Sequence, residues 1–112
     1  MFYIYSDVTI FSELKLQKLI KLVGSALHIP DFTLDTSGRY EGEEVYIVEC
    51  FGLEFEIAQD VSNAQAFHLS VNSITGEIDY DGSEKEIDGA NYILFLLHKA
   101  GIKAELRDAL SE

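Results

Sequence analysis

The sequence predicts an α+β domain: an antiparallel meander of four strands, or five if residues 1–5 add one, with an N-terminal and a C-terminal helix packed on one face. Three observations carry that expectation. Apolar residues recur at helical spacing before residue 30, alternate with period two from residue 31 through the middle of the chain, and return to helical spacing after residue 84. The 112 residues form a single domain, 1–112, and 47% apolar residues with one proline suit a packed core.

The opening "MFYIY" is a candidate short strand. Leu16, Leu19, Ile20, Val23, Ala26 and Leu27 then form the apolar stripe of an amphipathic helix. Lys15, Lys18 and Lys21 share its other side, and Pro30 closes it. Four strand-length stretches follow, "DFTLDTSGRY", "EEVYIVECF", "LEFEIAQD" and "AFHLSVNSI", rich in aromatic and β-branched residues and joined by short breaks. A second helix is expected over 84–99, with Ile87, Ala90, Ile93, Leu94 and Leu97 as its stripe and Gly101 as its stop. Ser83 and Glu86 have the spacing of a capping box, and Glu84, Glu86 and Asp88 would then occupy the first turn, facing the positive end of the helix dipole.

A two-residue turn at Phe51 and Gly52 sets Cys50 against Leu53, Glu49 against Glu54, Val48 against Phe55 and Ile47 against Glu56. Tyr46, Val48, Cys50, Leu53, Phe55 and Ile57 then make the core face. Val45, Ile47, Glu49, Phe51, Glu54 and Glu56 point away from it. Two carboxylates about 6 Å apart repel by roughly 0.7 kcal/mol in bulk water and nearer 3 kcal/mol at an effective dielectric of 20, which a docking cation would relieve. A similar turn at Glu41 and Gly42 would set Phe32 opposite Phe51 and Leu34 opposite Glu49, so the face is either a rimmed apolar patch or the turn holds a bulge.

The segment "EIDYDGSEKEID", Glu77 to Asp88, partly fits a calcium loop: Gly82 falls at position six, Asp79 and Asp81 at three and five, Asp88 at twelve. Glu77 replaces the first aspartate, Glu84 stands where an apolar residue belongs, and the preceding segment has strand rather than helix periodicity. A small calcium-binding or scaffold module using residues 77–88 is the alternative function.

No enzyme is expected, and no cofactor. His28, His68 and His98 lack the spacing of a metal site, and neither H-E-x-x-H, C-x-x-C nor G-x-S-x-G occurs. Glu54 and Glu56 alternate as the wet side of a strand does. Cys50 lies in an apolar run and reads as a small hydrophobe. The first residues carry no basic stretch or cleavage site, and no apolar run nears the ~18 residues of a membrane span, so the cytoplasm is the expected compartment. Eight Lys plus Arg against 20 Asp plus Glu give a net charge of −12. Such a surface repels nucleic acid and membranes, and it speeds encounter with basic proteins.

"EVYIVECFGLEFEIAQD" and "GEIDYDGSEKEID" are the acidic segments of a small, acidic α+β chain. In size, charge and architecture the chain resembles, over its whole length, the immunity proteins of bacterial polymorphic toxins, including those of contact-dependent growth inhibition. That resemblance implies an inhibitor that binds a basic toxin domain, a nuclease in the first instance, with carboxylates standing in for phosphates. The partner-binding residues expected on this basis are Glu43, Glu44, Glu49, Phe51, Glu54, Glu56, Asp60, Glu77, Asp79, Asp81 and Glu84.

Overall fold

The computed structural model describes residues 2–37, 43–74 and 85–107. Among them are seven strands and two helices. In chain order these are β1 (Phe2–Phe11), α1 (Leu16–Leu27), β2 (Thr33–Leu34), β3 (Val45–Cys50), β4 (Leu53–Gln59), β5 (Ala66–Ser73), β6 (Lys85–Asp88), α2 (Ala90–Lys99) and β7 (Lys103–Leu106). The sheet runs β2-β3-β4-β5-β1-β6, and β7 pairs with the second half of β1. All pairs are antiparallel except β1 with β6. The α+β class, the antiparallel sheet and the two helices match the sequence reading, with more strands than expected.

The added strands have separate causes. β1 is a ten-residue central strand rather than a short one, with Ser6, Val8 and Ile10 turned to the core and Asp7 and Thr9 turned away. β6 replaces the expected first turn of the second helix. Residues 85–88 are extended beside Phe2–Tyr5 rather than helical, so Ile87 leaves the helical stripe and is exposed, and α2 starts at Ala90. Asp88 still serves that helix end: its Oδ1 accepts from the Ala90 amide at 2.9 Å. Gly101, at φ 80, follows the helix as anticipated, and the chain then turns back into β7. His98 Nε2 donates to the Ala104 carbonyl at 2.8 Å, tying α2 to that strand.

Both helices cover one face. Leu16, Leu19, Val23 and Leu27 of α1 and Ala90, Ile93 and Leu97 of α2 pack on Val8, Ile10, Phe55, Ile57, Phe67, Leu69 and Val71. Cys50 is free and packs at the margin of this core. Helix α1 ends at His28 in the left-handed region, while the Ile29 amide reaches back to the Gly24 carbonyl at 3.1 Å. Among the described residues no helix is long and apolar enough to cross a membrane.

The β3–β4 hairpin has the anticipated register, Cys50 with Leu53, Glu49 with Glu54, Val48 with Phe55 and Ile47 with Glu56. Its turn residues Phe51 and Gly52 have φ of 53 and 74, the positive values that a type I′ turn demands. Glycine meets that demand without cost, but a bulky aromatic does not. Phe51→Asn is therefore expected to stabilise the fold by about 0.5–1 kcal/mol and Gly52→Ala to destabilise it by about 1–2 kcal/mol, both read from urea midpoints.

The β2–β3 pairing differs from expectation. Thr33 faces Ile47 and Leu34 faces Tyr46, not the register expected from a turn at Glu41 and Gly42, which lie outside the described residues, and the parity sends Phe32 into the core at 7% exposure. Phe32 does not add to the outer face. Leu34 falls on the core side of the pleat, but at the sheet margin, where it is half exposed.

Candidate functional site

Direct pairing across five strands fixes what the uncovered sheet face carries. One row runs Tyr5, Asn72, Glu54, Glu49, and the next runs Asp7, Ser70, Glu56, Ile47, Thr33. A third holds Thr9, His68, Ala58 and Val45, with Glu105 of β7 opposite Thr9. Glu49, Glu54 and Glu56 therefore share the face on which the sequence placed them, and β1 adds Asp7. Ser70 Oγ donates to Asp7 Oδ1 at 2.8 Å, which fixes that carboxylate across the central strand pair. Glu54 and Glu56 each already take part in an interaction within the chain.

The face is not uniformly exposed. Val45, expected outside, is 3% exposed, and Ile47 is half-buried. Val45 and Ala58 lie in a hollow of about 340 Å³ that is also lined by Glu43, Glu56, Asp60, His68, Ser70 and Arg107. Three of the carboxylates expected from the sequence, Glu43, Glu56 and Asp60, thus meet around one recess with an apolar part.

Asp60 is the best-anchored of them. Its Oδ1 accepts from the Ser62 amide at 2.8 Å and the Ser62 hydroxyl at 2.9 Å, and its Oδ2 lies 3.0 Å from His68 Nε2. With Nε2 donating to Asp60, Nδ1 of the neutral ring is left to accept from the Thr9 hydroxyl, 3.3 Å away. A carboxylate, an imidazole and a hydroxyl thus form a chain from the 60–65 loop to the central strand. The Ser62 amide and hydroxyl, followed by His68, lower the Asp60 pKa from 3.8 to about 2. Because the folded value lies below the unfolded one, the contribution of Asp60 to stability is present above pH 3.8 and is lost as pH falls through about 2. A carboxyl-detected NMR titration should find Asp60 titrating near 2, and Ser62→Ala should move it upward.

The remaining expected residues separate. Glu44 turns to the helical side, where Oε1 accepts from Gln17 Nε2 at 2.9 Å and from the Tyr46 hydroxyl at 2.7 Å; that hydrogen bond, with burial and the carboxylate charge, raises the Tyr46 pKa. Phe51, at 98% exposure, stands at the hairpin tip and lines a groove on the helical side rather than the acidic face. Glu77, Asp79, Asp81 and Glu84 lie outside the described residues, as does most of the calcium-loop candidate. The described chain before it is strand, and its own last four residues, Lys85–Asp88, are strand, where a helix-flanked calcium loop would follow a helix and lead directly into another. Among the described residues no cluster of three or more His, Cys, Asp or Glu could hold a metal ion.

Sequence reasoning missed Asp7, Thr9 and the pairing of Asp60 with His68. The alternation Ser6, Val8, Ile10 against Asp7, Thr9 was the available signal for β1. Comparison of the chain with protein-family models, with curated proteins and with solved structures finds no match.

Proposed function

We propose that the uncovered sheet face docks a basic protein domain, and that the chain acts as an immunity protein neutralising a cationic toxin domain, in the first instance a nuclease, in the cytoplasm. The observation that supports this most is the register through the Phe51–Gly52 turn, which brings Glu49, Glu54 and Glu56 onto one uncovered face. Asp7, Glu43 and Asp60 add carboxylates to that face, the last two around a hollow that Arg107 also lines. An arginine or lysine of the partner would lay its methylene stem against Ala58 and bring its charged head to the carboxylate rim. The net charge of −12 would steer the encounter, and the pleated, hydrogen-bonded sheet would hold the carboxylates without reorganisation.

The test is binding of the purified chain to basic nuclease toxin domains, beginning with any encoded beside it, with inhibition of the nuclease activity as the second readout. Association should slow steeply between 50 and 500 mM salt, on the order of 10-fold or more, if charge steers docking. A salt-independent association rate, or no inhibition by a bound complex, would overturn the proposal and leave the charge as a solubility device.

A further inference from the structure

The opposite side of the sheet holds a second recess with different chemistry. A cavity of about 510 Å³ opens between the helical layer and the sheet, walled by Leu27, Phe55, Val71 and Ile93. Its size falls in the range of roughly 300 to 1,000 Å³ that small-molecule sites occupy, and its lining is mostly apolar, as theirs is. Phe51 and Tyr92, 98% and 66% exposed, stand at its edge.

One group in this lining lacks what folding normally supplies. Ser6, on the central strand, is 2% exposed, and its Oγ has no hydrogen-bond partner. A buried hydroxyl without a partner is costly, and core positions of this kind ordinarily carry an apolar residue. Water is a poor remedy here, because an ordered water needs about two to four polar partners and the other polar side chains of the described lining, those of His28, Asp88 and Tyr92, are all exposed. Asp88 is moreover engaged with the Ala90 amide. A single polar atom on an otherwise apolar guest satisfies Ser6 without leaving other groups stranded.

We infer that this cavity is a binding site for a neutral, mainly apolar small molecule bearing one hydroxyl or carbonyl oxygen, which pairs with Ser6 Oγ. An ionised head group does not suit it: the walls at Leu27, Phe55, Val71 and Ile93 are apolar, and the chain's net charge opposes an anion. The inference does not depend on the docking of a basic domain, since the two sites occupy opposite faces of the sheet.

The chain contains no tryptophan, so a fluorescent probe can be followed without interference. The full chain should enhance N-phenyl-1-naphthylamine fluorescence saturably, and 1-decanol should displace the probe. Leu96→Trp, at another lining residue, should reduce probe affinity at least 10-fold. Ser6→Ala should weaken 1-decanol about five-fold, as loss of one hydrogen bond does, while raising the melting temperature of the unliganded chain by several degrees. Amide shifts on adding 1-decanol should centre on Ser6, Val71 and Ile93. Absence of saturable probe binding, undiminished 1-decanol affinity in Ser6→Ala, or shifts confined to the acidic face would each overturn the assignment. So would a groove that takes up only the side chain of a partner protein.

Discussion

Replacing Glu54 and Glu56 together by lysine is expected to weaken binding of a basic partner at least 100-fold, or about 2.7 kcal/mol, with the fold retained. Both residues lie on β4 with side chains on the uncovered face, directly across from Glu49 and Ile47. Each reversal removes one attraction and adds one repulsion, which is why the effect exceeds that of a single rim truncation. Because both carboxylates have contacts inside the chain, the control is thermal unfolding of the double variant. A change of a few degrees leaves the affinity loss to the interface. Full affinity in a folded double variant excludes the face as the docking surface.

Phe67→Ala is expected to cost about 3–5 kcal/mol, measured by urea denaturation. Among the described residues Phe67 is the largest fully buried side chain, at 1% exposure, and it stands on β5 opposite Ile10 of β1 and Gln59 of β4. Domains of this size are stable by only about 5–15 kcal/mol, so the variant forfeits a large part of the total. The core cluster it belongs to draws on both helices and on five strands, so the cavity left behind cannot be closed by moving one element. A cost below about 1.5 kcal/mol would mean that the core repacks around the vacancy.

The hairpin was legible because everything that sets its register is local: two turn residues, one of them glycine, between alternating runs. Helix α1 was legible for a similar reason, its stripe being uninterrupted from Leu16 to Leu27. β1 was read short because Ser6 stands at a core position and Asp7 follows it, which breaks the apolar alternation in mid-strand. The stretch KEID has the composition of a helix's first turn, yet it is held extended by pairing with Phe2–Tyr5, a partner that no local pattern announces. For the candidate site the balance is the same. Glu49, Glu54 and Glu56 follow from the hairpin alone, whereas the meeting of Asp60, His68 and Thr9 requires knowing that β5 lies against β1. Phe51 was assigned by simple alternation to the acidic face, but at a turn tip the pleat no longer governs direction, and it lines the apolar groove.

The position of β1 inside the sheet, between β5 and the strands β6 and β7, also bears on how the chain assembles. Its partners β5, β6 and β7 begin at residue 66 or later, while β2 to β5 pair with their neighbours in sequence. As the polypeptide leaves the ribosome, the meander can zip up stepwise, but its first strand must wait for a long loop to close. Until it arrives, β5 offers an open edge to any other extended segment, including the first strand of a second nascent copy. Strand exchange between chains is therefore the characteristic misassembly of this topology.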